Sequence, residues 1–123
     1  MAITLNTTLR NARSTAIVTE AGATAKLTVY TAAYAAVLYT STCAATLGTV
    51  SGGVLTFNAV GNATASGAGI AAIARLFKTD GVTMVIEGLT VGTVGTNIII
   101  ANTTIAVSDT ITTSAATITE GNP

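Results

Sequence analysis

The sequence has no histidine, no tryptophan and a single cysteine, Cys43, and these absences exclude several kinds of chemistry. Zinc and most transition-metal sites lose their usual ligands, and the commonest general base is missing. One cysteine forms no disulfide within the chain. Because no histidine is present to activate its thiol, Cys43 is expected to be a small buried core residue. We therefore assign no catalytic, cofactor-binding or metal-ligating residue and expect no cofactor and no enzymatic activity.

Charge is also scarce, at 8% of the 123 residues, and the five Lys and Arg balance the five Asp and Glu. Nucleic acid is bound through clustered cations, and these are scattered, so we expect no nucleic-acid partner. Turn chemistry accounts for Asp80 and Asp109 without catalysis. No run approaches the roughly 20 consecutive apolar residues of a membrane-spanning helix, and no secretory signal is visible. We therefore expect synthesis in a cytoplasm and no membrane partner.

The chain has instead 26 Thr and 23 Ala, and half of its residues are apolar. This composition favours β-strands whose outer faces are only partly exposed to solvent, because threonine and valine suit a pleated surface. Too few charges remain to cover the outside or to protect the edges of a sheet. Extended apolar surface on a soluble chain usually contacts a partner. The composition therefore predicts a protein that works in an assembly.

Residues 4–21 carry the one convincing helical pattern, because their apolar positions share one face at a period of about 3.6 residues. Thr4 or Asn6 is suited to cap the start, and Gly22 is suited to end the helix in the left-handed conformation. With so few large side chains, this amphipathic helix is expected to pack closely against something flat. The face consists of Leu5, Leu9, Ala12 and Ala16, with Ile17 at its margin and Thr7, Asn11, Ser14 and Thr15 on the other side.

After Gly22 the hydrophobic pattern changes to a period of two, which is typical of strands. The strongest signal is Asp80-Gly81 between strands at 70–78 and 82–87, which predicts a hairpin. Segment 32–41 is ambiguous between helix and strand, 61–69 is predicted as a loop and 91–97 as a turn. Further strands are expected at 25–31, 43–50, 54–58, 98–101, 103–107 and 110–119, followed by a frayed tail at 120–123.

Roughly seven to nine short strands at this spacing predict a mainly β fold. We expect a single domain over residues 1–123. It comprises a small antiparallel β-sandwich or jelly roll at 25–119 and one N-terminal amphipathic helix.

Four helix residues are the candidate protein–protein contacts. Leu5 and Leu9 lie on the apolar face, and Arg10 and Arg13 lie one turn apart beside it. A basic pair at this spacing suits an acidic partner, although a solvated helix margin is the plainer interpretation. The run at 98–100 is either a strand buried on both faces, which is the default interpretation, or a docking strip.

Six short sequence motifs, taken together, carry a resemblance to a known family. They are Thr8–Arg13, Lys26–Tyr30, Ser51–Asn58, Ala74-Arg75-Leu76 followed by Asp80-Gly81, Gly88–Asn97 and Ala116–Asn122. Taken in order, they resemble a family of small virion proteins encoded by tailed bacteriophages and prophages. The family often has Trp where this chain has Ile73. The resemblance implies a head decoration, or cement, protein with a jelly-roll fold, which clamps neighbouring major capsid subunits and has no catalytic residues to carry over.

The sequence and the resemblance together predict a structural virion protein that decorates and stabilises the exterior of a phage capsid. Its expected partners are the major capsid protein and copies of itself, as a homo-oligomer on the capsid lattice, after synthesis in the bacterial cytoplasm. One alternative is another virion β protein: a tail-tube, head–tail joining or fibre-associated protein, or a self-assembling coat. A second alternative is a carbohydrate-binding β-sandwich, which the scarcity of aromatic residues opposes because sugar sites usually need stacking platforms.

Overall fold

The computed structural model describes residues 5–119, so the predicted cap at Thr4 and the predicted tail at 120–123 lie outside the described residues. Within that range the chain forms one α-helix, a single 3-10 turn at Ala32–Tyr34 and twelve strands. The helix, α1, spans Thr7–Ala21. The strands are β1 (Lys26–Tyr30), β2 (Val37–Thr42), β3 (Gly48–Ser51), β4 (Val54–Phe57), β5 (Ala63–Thr64), β6 (Gly69–Ile70), β7 (Ile73–Phe77), β8 (Met84–Gly92), β9 (Ile98–Ile100), β10 (Thr104–Ile105), β11 (Thr110–Ile111) and β12 (Thr113–Thr119).

Eight of these strands form one curled sheet in the order β2-β1-β7-β8-β9-β12-β4-β3. Neighbours pair antiparallel except β8 and β9, which are parallel over two residues. The remaining strands form two short pairs, β10 with β6 and β11 with β5. The chain is therefore mainly β, sandwich-like and preceded by one helix, which is the fold class expected from the sequence.

The core lies inside the curled sheet and is built from alternate residues of its strands. Leu27 and Leu76 face each other on β1 and β7 and are fully buried. Ile98 and Ile100 are buried on β9 and Ile99 is half-buried, so the run contributes to the core through one face and not, as the default interpretation had it, through both. Cys43 is buried as well, as predicted. The outward-facing residues of the same strands are left to form the surface.

Helix α1 packs on the sheet through a different stripe from the predicted apolar face. Ser14 and Ala21 are its buried residues, and Ile17 and Val18 pack against the core. Leu9, from the predicted face, is 46% exposed. The small side chains of Ser14 and Ala21 allow the helix backbone to approach the sheet closely. The orientation of α1 is therefore set by this close approach and not by the positions of its largest apolar residues.

Two signals at the ends of α1 are confirmed. Asn6 caps the start, where its Oδ1 accepts a hydrogen bond from the Leu9 N–H at 2.8 Å. Gly22 ends the helix with a φ of 69°, and its N–H donates to the Val18 carbonyl. The Asn11 side chain accepts from the Gly53 N–H at 2.7 Å, which ties the helix to the β3–β4 turn.

The strands on either side of the Asp80-Gly81 turn are confirmed, whereas the prediction of a loop at 61–69 is wrong where that segment contains β5 and the first residue of β6. The hairpin around Asp80-Gly81 joins β7 to β8, and β8 continues through Gly92 into the segment predicted as a turn. The ambiguous segment 32–41 divides into the 3-10 turn and β2. The strand predicted at 43–50 is wrong for 43–47, where bonds from Cys43 N–H to the Ala25 carbonyl and from Thr24 N–H to the Ala44 carbonyl hold an irregular connection beside β1.

Candidate functional site

The outer face of strands β2, β1, β7 and β8 carries three rows of side chains that run across the strands. The register of the sheet sets each row, because directly paired residues point to the same side. From β2 to β8 the rows are Thr42, Lys26, Phe77 and Met84; then Thr40, Thr28, Arg75 and Glu87; then Val37, Tyr30, Ile73 and Thr90.

A bulge in β8 interrupts the middle of this outer face. Arg75 pairs with Glu87, whereas its neighbour Ala74 pairs with Leu89, so Gly88 is an extra residue. Its φ of 81° is left-handed, a conformation that glycine adopts readily. The Gly88 N–H donates to the Tyr34 hydroxyl at 2.8 Å. A side chain from another part of the chain therefore satisfies the amide of the bulge.

The connection between β1 and β2 folds back over the same place. Thr31 closes it twice, because its N–H donates to the Ala36 carbonyl at 2.9 Å and its hydroxyl accepts from the Ala36 N–H at 3.0 Å. Inside this closed turn Ala33 and Tyr34 both have a φ of 57°. Two successive left-handed residues that are not glycine are energetically unfavourable. The result is that the Tyr34 ring lies on the outer face.

Tyr30, Tyr34, Arg75 and Glu87 meet there and are termed the Arg75 cluster. The guanidinium carbon of Arg75 lies 3.8 Å from the Tyr34 ring centroid and 5.3 Å from that of Tyr30. The two tyrosine rings are edge to face, with centroids 5.2 Å apart. The Arg75 Nε lies 3.1 Å from a carboxylate oxygen of Glu87. The cluster thus holds an arginine against two aromatic rings and pairs its charge with one carboxylate.

The predicted contact residues on α1 do not form one surface. Leu9 and Arg13 are exposed and one turn apart, and Leu5 is half-buried on the same side. Arg10 is half-buried and turned toward the β3–β4 turn, where a Cβ atom at Gly53 would lie 2.6 Å from the Arg10 Cζ. The helix therefore presents Leu9 and Arg13 outward, whereas Arg10 packs within the molecule.

Exposed apolar side chains lie at both ends of β1 and β7. At one end, Val37 pairs with the last residue of β1, and Ile70, which is 63% exposed, precedes β7. At the other end, Met84 pairs with the last residue of β7, and Val82, which is 79% exposed, lies in the hairpin turn. We term Val37 and Ile70 the loop-end patch, and Val82 and Met84 the hairpin-end patch.

The remaining titratable candidates are accounted for locally. Hydrogen bonds from Thr83 and Val82 lower the pKa of Asp80 to about 2. An Asp109 oxygen accepts from the Ala106 N–H at 2.9 Å, as expected for a turn. Burial raises the pKa of the Cys43 thiol to about 11, so the thiol is protonated at neutral pH and is a poor nucleophile.

One small cleft lies between the β9–β10 connection and β11. Its volume is about 180 Å³, below the roughly 300–1,000 Å³ of pockets that enclose small ligands. It is lined by Ala101, Asn102, Thr104, Asp109, Thr110, Ile111 and Thr112. In residues 5–119 no three His, Cys, Asp or Glu side chains lie together as a metal site would require.

No protein-family model matches the sequence, and no curated protein or solved structure matches it significantly. Across residues 5–119 no helix is long and apolar enough to cross a membrane. The surface features that bear on function are the two apolar patches, the exposed side of α1 and the Arg75 cluster. Two further exposed apolar side chains, Val94 and Val107, lie singly in the β8–β9 and β10–β11 connections.

Proposed function

We propose that this chain is a non-enzymatic structural virion protein that decorates and cements a bacteriophage capsid by bridging neighbouring major capsid subunits. The observation that supports the proposal best is the pair of apolar patches at opposite ends of β1 and β7. A bridging protein needs two separate contact surfaces held at a fixed distance. The paired strands β1 and β7 supply a rigid spacer between the loop-end patch and the hairpin-end patch.

The physical basis of binding in this proposal is apolar burial. Covering apolar surface contributes about 25 cal/mol per Å² removed from water, so each patch supplies a modest free energy. A capsid offers many equivalent sites, and binding through two contacts at once raises the effective affinity. The scarcity of charge suits this role, because few charged groups lose their hydration when the surface is covered.

The first test is the copy number of the protein in purified particles of the phage that encodes it. Quantitative mass spectrometry scaled to the major capsid protein should give one copy per capsid subunit or a simple fraction of it. A small number of copies would instead favour the portal, tail or fibre. Absence from the particle would overturn the assignment as a virion protein.

The second test separates bridging from simple attachment. Particles that lack the protein are incubated with the wild type, with Val82→Asp/Met84→Asp or with Val37→Asp/Ile70→Asp. Bound copies are counted, and the temperature of genome release is measured. Each double variant should lose most of the thermal protection, because one remaining contact attaches the protein without bridging. Val94→Asp is the matched control, because this valine is 80% exposed and lies outside both patches. Full protection by both double variants would exclude bridging through these patches.

A further inference from the structure

Two backbone irregularities, one in strand β8 and one in the β1–β2 connection, converge on the Arg75 cluster. The bulge at Gly88 and the left-handed pair Ala33–Tyr34 are joined by one hydrogen bond, from the Gly88 N–H to the Tyr34 hydroxyl. Unfavourable backbone conformations persist where the surrounding structure holds them, and they concentrate at binding sites, where they position side chains. Here they fix a tyrosine ring on an arginine at the surface.

One face of the half-buried Tyr34 ring is clear of both Arg75 and Tyr30 and is termed the platform. The 3.8 Å separation places the Arg75 guanidinium directly against one face of the ring. The distances among Arg75, Tyr30 and Tyr34 place Tyr30 at the rim of the Tyr34 ring rather than above or below it. The opposite face of Tyr34 therefore contacts neither partner. Because its hydroxyl bonds to Gly88, the ring is held in place before any ligand arrives.

From this arrangement we infer that the Arg75 cluster is a binding site for a neutral saccharide. Sugar rings stack their C–H groups on aromatic faces, and adjacent hydroxyls take paired hydrogen bonds from planar groups. Arg75 carries N–H donors beyond those directed at Glu87 and Tyr30, and the Glu87 carboxylate, which is half exposed, supplies acceptors. The platform and the hydrogen-bonding groups lie in one place.

The charge of the cluster identifies the kind of ligand. Arg75 and Glu87 are an ion pair, so the cluster has no net charge with which to attract an anion. A cationic ligand is disfavoured as well, because the Arg75 charge already lies against the Tyr34 ring. A neutral ligand that offers both hydroxyl groups and an apolar ring face fits these constraints.

The spacing of side chains on the outer face suits a small ligand. Four strands at about 4.8 Å and three rows at about 6.8 Å span roughly 14 by 14 Å between their outermost side chains, or about 200 Å². This area is large enough for one or two sugar rings. The inference does not depend on a capsid location for the chain.

The test combines a printed array of bacterial surface polysaccharides with NMR titration of the ¹⁵N-labelled full chain. The titrants are glucose, galactose, N-acetylglucosamine and the strongest binder on the array. We expect shift changes centred on Tyr34, Arg75 and Gly88. A response to the monosaccharides indicates recognition of a single ring, whereas a response to polysaccharide alone indicates an extended glycan of a cell surface; both support the inference.

Matched variants decide whether the cluster itself binds. Tyr34→Ala should weaken binding by about tenfold or more, whereas Tyr34→Phe keeps the aromatic face but loses the hydrogen bond from Gly88 and should weaken binding less. Glu87→Ala leaves the ring in place and should also weaken binding, which keeps the test valid if Tyr34→Ala does not fold. Leu9→Ala, on the helix, is the control and should bind as the wild type.

Three results would overturn the inference: no response to any array glycan or monosaccharide, shift changes confined to another surface, or equal binding by Glu87→Ala and the wild type. The capsid proposal is tested separately with Val82→Asp/Met84→Asp. These residues lie at the hairpin end, outside the Arg75 cluster, so this variant should bind sugar normally, whereas Val37 pairs directly with Tyr30 of the cluster. Tyr34→Ala should still protect particles. A wild-type chain that binds sugar but does not protect particles would contradict only the capsid proposal. A chain that protects particles but binds no sugar would contradict only the saccharide inference.

Discussion

Asp80 stabilises the turn between β7 and β8 through its charged carboxylate. One oxygen accepts from the backbone N–H groups of Val82 and Thr83, each at 2.8 Å, and the other accepts from the Thr83 hydroxyl at 2.6 Å. These hydrogen bonds lower the pKa of the carboxyl from 3.8 to about 2. A pKa that is lower in the folded chain gives stability that is fully present above the unfolded pKa and is lost as the pH falls through the folded one.

We therefore expect part of the acid destabilisation between about pH 4 and about pH 2 to come from this one residue. The measurement is the Tm of the wild type and of Asp80→Asn across that interval. The wild type should have the higher Tm at neutral pH, and the difference should shrink as the pH approaches 2. A difference that stays constant with pH would show that the charge of Asp80 does not stabilise the turn.

Asn97 connects three strands at the place where β8 and β9 run parallel. Its side-chain oxygen accepts from the Thr90 N–H at 3.0 Å and from the Thr90 hydroxyl at 3.1 Å. Its side-chain nitrogen donates to the Thr117 carbonyl at 3.1 Å, and its backbone carbonyl accepts from the Thr117 N–H at 2.9 Å. The two-residue parallel contact is thus supported by one side chain that reaches both β8 and β12.

Replacing Asn97 by Ala removes these side-chain bonds and leaves the Thr90 N–H and the Thr117 carbonyl without them. We expect a loss of about 2–4 kcal/mol in the free energy of unfolding, measured by urea denaturation. Asn58→Ala is the matched control, because the Asn58 amide makes one exposed bond, to the Thr46 carbonyl. Its loss should stay near 1 kcal/mol or below. Equal losses would contradict the role assigned to Asn97.

Elements bounded by local signals were predictable from the sequence. Asn6 and Gly22 mark the ends of α1 because a cap and a left-handed stop depend only on nearby residues. Asp80-Gly81 marks the β7–β8 turn for the same reason. The orientation of α1 was not predictable, since it depends on how closely Ser14 approaches a sheet formed by residues far along the chain.

The Arg75 cluster could not be derived from sequence patterns. Tyr34 reaches Arg75 because two residues of the Thr31–Ala36 turn adopt left-handed conformations. The sequence does not indicate these conformations, since neither residue is a glycine. Glu87 and Gly88 are brought into place by a bulge, which shifts the register by one residue and leaves little trace in the sequence. Two signals were available: a tyrosine in the segment at 32–41, which is ambiguous between helix and strand, and Gly88, because a glycine in or beside a strand can mark a bulge.

For the whole molecule, the distribution of charge separates two ways of docking on a capsid. The chain has no formal net charge, and two of its ion pairs, Arg75 with Glu87 and Lys78 with Glu20, lie within the molecule. Docking through the loop-end and hairpin-end patches relies on apolar burial, which moderate NaCl concentrations hardly weaken. Docking through Arg13 on an acidic partner relies on charge, which salt screens.

We expect the apolar mode, and therefore a dissociation constant for particles that changes less than about threefold between roughly 0.05 and 0.5 M NaCl. The measurement is a binding isotherm at each salt concentration for the wild type and for Arg13→Gln. Both should give the same curve if the patches carry the contact. A wild-type affinity that falls several-fold with salt, together with weak and salt-independent binding by Arg13→Gln, would instead place the contact on α1. Since bridging needs two surfaces and α1 presents one outward side, that outcome would also argue for attachment to a single capsid subunit.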